Sequence, residues 1–242
     1  MIRYIRLLGK VGFYLLGMFP KVLWYAWRKD HIPFEKRYEL ARRIIRKVIW
    51  ACSVDFHIEG LDQVDFSQNN VFCPNHQSFF DAMLLDIFPV PLLIVAKIET
   101  MGYPYVSQVA KMIEVMLLDR SDLRQNLRLL KQIEESLLEP NRHFLIFLEG
   151  TRTKHDDRRV NEFKPGGLRA AYTTQSTIVP MAVCGTWKPL NPKINQKRYR
   201  VDVHFLKPIP YAEYSKYTTA ELAEILHSMV SKRVQSLMVH QQ

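Results

Sequence analysis

From residue 54 onward, short apolar runs alternate with longer amphipathic stretches. The short runs have the length, the alternation or the β-branched and aromatic content of strands. They lie at residues 54–59, 70–73, 92–96, 112–118, 144–148, 178–183 and 200–206. Two helices are predicted among them, one over 121–138 and one over 218–238.

Both helices have start signals in the sequence. Ser121 can cap the first helix, with Leu127 and Ile133 on its apolar face, and the spacing Thr218-x-x-Glu221 is that of a capping box for the second. Strands that alternate with helices predict an α/β fold, with one mixed β-sheet flanked by helices. No Pro, Gly or Ser-rich linker divides residues 53–242, so they are predicted to form one domain.

The first 52 residues have a different pattern. Residues 35–52 repeat apolar positions with a helical period, and residues 11–27 are apolar except for Lys21. The uncharged runs of residues 11–27 are shorter than the roughly 20 residues that span a bilayer. A signal peptide is a weaker alternative, because no small-x-small cleavage site follows.

The charge of the chain is concentrated in the same region. Of its 34 Lys and Arg and 24 Asp and Glu, residues 1–50 contain 12 and three, which places +9 of the net charge of +10 there. Basic amphipathic helices with aromatic residues are typical of membrane-surface anchors. We therefore predict that residues 1–52 form an N-terminal amphipathic helical membrane anchor on anionic bilayers. The simpler alternative is that they pack on the domain with their basic face in water.

Three cysteines, Cys52, Cys73 and Cys184, are far apart and include no C-x-x-C pair. This spacing argues against a disulfide framework and a cysteine zinc site, and it fits a reducing compartment.

A candidate catalytic pair follows the second predicted strand. Asp81 could orient His76 as a general base. Residues five apart on a helix point about 140° apart, so the two side chains meet only if His76 lies in the loop before the helix. Ser78 is placed to cap that helix. The alternative is a helix cap with an incidental histidine.

A second candidate site ends the predicted strand at 144–148. The apolar run stops at Glu149-Gly150-Thr151-Arg152, at a strand end, where α/β proteins place their sites. Arg suits phosphate recognition. The alternative is a local Glu149–Arg152 ion pair on a surface turn.

Together these motifs resemble those of the glycerolipid acyltransferase family, typified by 1-acyl-glycerol-3-phosphate acyltransferases. The family motif N-H-x-S-x-x-D is matched by Asn75, His76, Ser78 and Asp81, and F-P-E-G-T-R by Phe147, Glu149, Gly150, Thr151 and Arg152, with Leu148 in place of the proline. Between these two motifs the family has a lysine, which Lys97 matches, and a G-x-x-x-x-x-R motif, whose arginine is matched by Arg120 and whose glycine is replaced by Glu114. The family's last apolar V-P motif is matched by Val179 and Pro180.

The resemblance implies transfer of a fatty acyl group from acyl-CoA or acyl carrier protein to the hydroxyl of a lysophospholipid such as 1-acyl-sn-glycerol-3-phosphate. His76 would be the base and Asp81 its orienter. The acceptor phosphate site would contain Arg120, Glu149, Gly150, Thr151 and Arg152, assisted by Lys97. Backbone amides near Gly150 or His76 are candidate oxyanion donors. No metal or cofactor is expected, and the enzyme would lie at the cytoplasmic face of a membrane, monotopic or peripheral.

Other classes have less support. A serine hydrolase would need a G-x-S-x-G elbow and a nucleotide-binding enzyme a Gly-rich phosphate loop, and the sequence has neither. A non-catalytic binder of membranes or polyanions stays open. Because the charge lies on amphipathic helices, no specific nucleic-acid partner is expected.

Overall fold

In the computed structural model, which describes residues 2–119 and 122–240, a seven-stranded mixed sheet forms the centre of the molecule. The strands are β1 (Val54–Glu59), β2 (Asn70–Pro74), β3 (Leu93–Lys97), β4 (Met116–Leu118), β5 (His143–Leu145), β6 (Thr177–Cys184) and β7 (Tyr199–Phe205). Their order across the sheet is β1-β7-β6-β2-β5-β3-β4. All neighbouring strands are parallel except β6 and β7.

Helices cover both faces of the sheet. They are α1 (Ile2–Trp27), α2 (Phe34–Cys52), α3 (Pro104–Met112), α4 (Leu123–Leu137), α5 (Arg169–Thr174), α6 (Tyr211–Tyr214) and α7 (Thr219–His240). A 3-10 helix, Phe79–Asp86, follows β2. Successive side chains of a strand point to opposite faces. Accordingly, Phe72 joins the core beneath α2, and Val71 and Cys73 join the core that contains residues of α4 and α7.

The α/β fold and all seven predicted strands are confirmed. Strand β4 is shorter than predicted because α3 continues to Met112 and the chain then turns at Glu114, whose φ is 55°. The predicted strand at 144–148 is shifted to His143–Leu145, and the residues after it form turns. Helix α3 is not among the predicted elements.

The two predicted helices of the domain are present with small differences. Asp122 caps α4 by accepting from Gln125 N at 2.9 Å, and Ser121 lies outside the described residues. Leu127 was predicted to face the core, but it is 52% exposed, and Leu129 is buried instead. The capping box of α7 is confirmed, with Glu221 N donating to Thr218 Oγ1 at 3.2 Å.

The N-terminal region forms two helices that pack differently. Helix α2 buries Tyr38 and Ile44 in one core with the strands, so it is an integral part of the fold. Helix α1 packs on α2 and α3, where Phe19 stacks on Tyr105 with the ring centroids 5.3 Å apart. In the described part of the chain, no helix has the length and apolar character to cross a membrane. The division at residues 52 and 53 stays a prediction.

Candidate active site

The two sequence motifs meet at one edge of the sheet. Strands β2, β5 and β6 are parallel, so their carboxyl ends lie side by side. His76 follows β2, Glu149 follows β5 and Thr186 follows β6. This edge is where open α/β sheets bind ligands.

His76 and Asp81 are in contact. His76 Nδ1 lies 2.6 Å from Asp81 Oδ2, which also accepts from the backbone N–H groups of Gln77 at 2.7 Å and Ser78 at 3.0 Å. Ser78 caps the helix by accepting from Phe80 N at 2.9 Å, so the predicted fold-back from loop to helix is present, although the helix is 3-10 rather than α.

The carboxylate fixes the tautomer of the imidazole. A carboxylate only accepts hydrogen bonds, so Nδ1 of His76 carries the proton and Nε2 offers a lone pair. The side chain of Asp81 is fully buried, and that of His76 is 21% exposed. The imidazole is thus held by a buried carboxylate and is accessible to a substrate from the solvent side.

The end of β6 and the turn after it hold the His76 loop in place. Asn75 forms a two-way clamp on Val183, accepting from its N–H at 2.7 Å and donating to its carbonyl at 3.0 Å. Gln77 Oε1 accepts from Gly185 N at 2.9 Å, and Ser78 Oγ donates to Thr186 O at 2.8 Å. The motif indicates Asn75, but no pattern in the sequence indicates Gln77, because its role depends on contact with Gly185, 108 positions away.

Glu149 lies beneath the site and joins its two loops. It is 2% exposed, and its oxygens accept from His76 N at 2.5 Å and Asn161 N at 2.8 Å. Thr153 N donates to His76 O at 2.9 Å. Burial raises the pKa of Glu149 to about 6, although these amide hydrogen bonds lower it. Both oxygens are engaged by backbone N–H groups, which points to a loop-positioning role rather than direct contact with a phosphate.

The rest of the second motif shapes the space beside His76. Phe147 stacks on the imidazole, with ring centroids 4.1 Å apart. Gly150 has a φ of 63°, in the left-handed region that glycine enters most readily. Thr151 O accepts from Asn161 Nδ2 at 3.5 Å. Arg152 is exposed, and within the described residues no carboxylate is within ion-pair distance of it, so the alternative Glu149–Arg152 pair is absent.

Most of the candidate oxyanion donors are already engaged. Gln77 N and Ser78 N donate to Asp81, and His76 N donates to Glu149. Gly150 N donates to Phe147 O at 2.9 Å. These four N–H groups are therefore not available to a reaction intermediate in this arrangement.

Of the remaining predicted residues, the structure describes Lys97, which lies on the β3 and β4 side of the sheet. Lys97 ends β3, at the same edge as His76, and Arg120 lies outside the described residues. Glu114 has a φ of 55°, which explains why a glycine suits this position. Its side chain pairs with the buried Arg37 at 2.9 Å, and Arg37 Nη1 also donates to Met112 O at 2.6 Å. No pattern in the sequence indicates this pair.

An α/β sheet with a histidine and aspartate pair at its carboxyl edge fits an acyl-transfer enzyme. The family model described as Acyltransferase matches residues 55–184, more than half of the chain. The chain belongs to this acyltransferase family. The match contains both motifs and Lys97.

Several relatives have names that specify a substrate. The 1-acyl-sn-glycerol-3-phosphate acyltransferase of Cocos nucifera is 27% identical over 192 residues, which are 76% of this chain and 59% of that protein. The probable 1-acyl-sn-glycerol-3-phosphate acyltransferase of Mycoplasma pneumoniae is 26% identical over 224 residues, 84% of this chain and 80% of that protein. The chain thus spans about three fifths of the coconut relative's length.

A solved structure has the same fold over nearly its whole length. The crystal structure of the 1-acyl-sn-glycerophosphate (LPA) acyltransferase PlsC from Thermotoga maritima matches with a TM-score of 0.71. The match covers 98% of each chain at 22% sequence identity. The likeness therefore includes helices α1 and α2 as well as the sheet.

Proposed function

We propose that this protein transfers a fatty acyl group from acyl-CoA or acyl carrier protein to the free hydroxyl of 1-acyl-sn-glycerol-3-phosphate, which yields phosphatidic acid. The observation that carries the proposal is the 2.6 Å contact of His76 Nδ1 with Asp81 Oδ2 at the carboxyl edge of β2. Family membership supports the reaction class. The names of the relatives support the acceptor.

The proposed reaction needs a base and no enzyme nucleophile, because a thioester is already activated. His76 Nε2 accepts the proton of the lipid hydroxyl as its oxygen attacks the thioester carbon. The buried carboxylate of Asp81 stabilises the imidazolium that results. The tetrahedral intermediate then breaks its carbon–sulfur bond, and the thiolate leaves and takes the proton back from His76. An ester and a free thiol are the products.

The acceptor phosphate is assigned to the cations on the β5, β3 and β4 side of His76. Arg152 follows β5, Lys97 ends β3, and Arg120 follows β4 in the sequence. Arg binds phosphate oxygens through two parallel hydrogen bonds, which makes Arg152 and Arg120 the main ligands and Lys97 an additional charge. Gly150 and Thr151 shape the loop that presents Arg152.

The test of the base is His76→Ala, with thiol release from acyl-CoA measured in the presence of lysophosphatidic acid. The variant should fold and lose about 10²–10⁴-fold in turnover. His57→Ala is the matched control, because His57 is an exposed histidine on β1. Turnover retained by His76→Ala would end the assignment.

The acceptor is tested separately with Arg152→Ala. We expect a raised KM for lysophosphatidic acid and little change for monoacylglycerol, which lacks the phosphate. An equal loss with both acceptors would contradict a phosphate contact. Glycerol 3-phosphate and lysophosphatidylcholine in the same assay discriminate the alternative acceptors.

We also propose that α1 and α2 attach the protein to an anionic bilayer, at the cytoplasmic face. Apolar side chains of α1 face outward, with Phe13 83%, Leu16 70% and Trp27 76% exposed. On α2, Lys47 Nζ lies 3.9 Å from the ring centre of the half-exposed Trp50. Aromatic side chains beside basic ones suit the boundary between headgroups and acyl chains.

Sedimentation with liposomes tests the anchor. The double variant Phe13→Ser and Trp27→Ser should bind anionic vesicles more weakly than the unchanged protein, because two apolar contacts with the bilayer are lost. Leu138→Ser is the control, since Leu138 is also exposed but lies at the end of α4. Equal binding by the double variant and the control would reject the anchor.

A further inference from the structure

A cation and an indole ring are stacked next to the active site, on the β6 side. The guanidinium carbon of Arg158 lies 4.6 Å from the centre of the Trp187 ring. Lys188 Nζ lies 5.8 Å from the same centre. Trp187 and Arg158 are both partly exposed. A guanidinium stacked on a ring keeps its N–H edge directed outward, where it can bind an anion.

Both members of the pair are on loops that are bonded to the residues around His76. Trp187 follows Thr186, whose carbonyl accepts from Ser78 Oγ at 2.8 Å. Arg158 lies in the loop that begins with Thr153, whose N–H donates to His76 O at 2.9 Å. The pair therefore has a fixed place beside the catalytic loop.

The positive charge of Arg158 is not neutralised by the protein in the part that the structure describes. No carboxylate is within ion-pair distance of it there. Of the three acids in its own loop, Asp157 accepts from the backbone of Arg159 at 3.2 Å, and Asp156 and Glu162 are exposed. Arg158 also has a φ of 56°, a left-handed conformation that residues other than glycine rarely adopt.

Trp187 follows β6, and the guanidinium of Arg158 reaches it from the loop after β5, the loop that also contains Arg152. Strand β6 borders β2 on one side, whereas β5, β3 and β4 extend on the other. In the acceptor, the phosphate is attached to the carbon next to the one that bears the reacting hydroxyl. The phosphate must therefore bind close to His76. The phosphate of a thioester carrier is separated from the reacting carbon by the long pantetheine arm. A cation at the rim, stacked on the ring that follows β6, suits the carrier.

We infer that Arg158 and Trp187 bind the phosphate of the acyl donor's phosphopantetheine carrier on the β6 side of His76. This inference rests on the proposed acyl transfer. Coenzyme A and acyl carrier protein both carry the acyl group on a pantetheine arm that ends in a phosphate. Arg158 donates to that phosphate, and Trp187 holds the guanidinium in place.

Binding measurements without an acceptor test the inference. Calorimetry compares coenzyme A, 4′-phosphopantetheine and pantetheine with the unchanged protein and Arg158→Gln. We expect the variant to bind both phosphorylated ligands about 10-fold or more weakly, because it loses one charge-assisted hydrogen bond. Its affinity for pantetheine should equal that of the unchanged protein. A loss for coenzyme A alone would overturn a pantetheine-phosphate contact in favour of the nucleotide phosphates.

Two matched variants check the physical cause. Arg159→Gln removes the same charge from the same loop, where Arg159 Nη2 lies 3.1 Å from His155 Nδ1, and it should bind coenzyme A as the unchanged protein does. Trp187→Leu should weaken coenzyme A binding, and Trp187→Phe should retain most of it. Thermal midpoints of all variants verify that they fold.

The inference is overturned if Arg158→Gln and the unchanged protein bind coenzyme A with equal affinity. It is also overturned if the variant loses as much affinity for pantetheine as for coenzyme A, or if the unchanged protein does not bind coenzyme A. Kinetics separate it from the proposed function. Arg158→Gln should raise the KM for acyl-CoA and leave the KM for the lysolipid unchanged. If coenzyme A binding depends on Arg158 but no lysophospholipid is acylated, the acceptor assignment fails and the carrier site stands.

Discussion

Replacement of Glu149 by Gln changes one buried acceptor at the base of the active site. Glutamine has nearly the same shape, but only one of its two terminal atoms accepts hydrogen bonds. In the protein, both carboxylate oxygens accept, one from His76 N at 2.5 Å and the other from Asn161 N at 2.8 Å. One of these N–H groups must face an amide NH₂ in the variant, which costs about 1–3 kcal/mol.

The charge contributes in the opposite direction. Burial raises the pKa of Glu149 from 4.5 to about 6, so ionisation in the folded state costs about 2 kcal/mol more than in the unfolded chain. Glutamine avoids this cost. At pH 7.5 the two effects nearly cancel, and the stability of Glu149→Gln should lie within about 1 kcal/mol of the unchanged protein.

The pH dependence has a definite sign. Between pH 4.5 and 6 the folded protein binds more protons at Glu149 than the unfolded chain does, so stability from this group falls as the pH rises through that window. Lowering the pH from 7.5 to 4.5, where the unfolded chain is half ionised at Glu149, should therefore stabilise the unchanged protein relative to the variant by about 1.6 kcal/mol. For a chain of this size that is about 3–6 °C in thermal midpoint.

Thermal unfolding at pH 7.5 and 4.5 measures this difference, with Glu162→Gln as the control. Glu162 is an exposed carboxylate near Asn161, so its replacement reports the general effect of removing a charge. A difference between unchanged protein and Glu149→Gln that is equal at both pH values would refute the assignment. Turnover should fall at every pH, because the His76 loop loses an anchor.

Two further predictions concern the catalytic loop and the turn before β4. In Asp81→Asn the amide oxygen can still accept from the three donors that converge on Oδ2, but the negative charge that stabilises the imidazolium is lost. Turnover should therefore fall at least about 10²-fold in the thiol-release assay, with the acyl-CoA KM unchanged. Glu114→Ala keeps the left-handed residue but loses the Arg37 pair, whereas Glu114→Gly also relieves the backbone. Glu114→Gly should be about 1 kcal/mol more stable than Glu114→Ala in urea unfolding, and the reverse order would contradict the strain argument.

The sequence predicts the fold well because strand signals are local. An apolar run that starts and stops within six or seven residues predicts β1, β6 and β7 nearly to the residue. Strand β4 and the buried face of α4 are predicted less well. The end of β4 depends on the turn at Glu114, and the rotation of α4 depends on which side of the helix meets the sheet.

Some features of the candidate site can likewise be predicted from local sequence, and others cannot. The sequence predicts the helix cap at Ser78, three residues before Asp81, and this cap makes contact between His76 and Asp81 possible. The position of Glu149 beneath the loop, and the clamp of Asn75 on β6, arise from chain segments that meet only after folding. Short motifs indicate which residues matter, but not which of them contact a ligand and which hold the others in place.

Helix α2 shares its core with the sheet and is not joined to it by a flexible tether. A protein attached to a bilayer through such a helix cannot rise or sink relative to its own catalytic edge. The height of His76 above the attachment surface is therefore a constant of the fold. Lipids would then be selected partly by depth, because only a hydroxyl at the matching level of the headgroup layer can reach the imidazole.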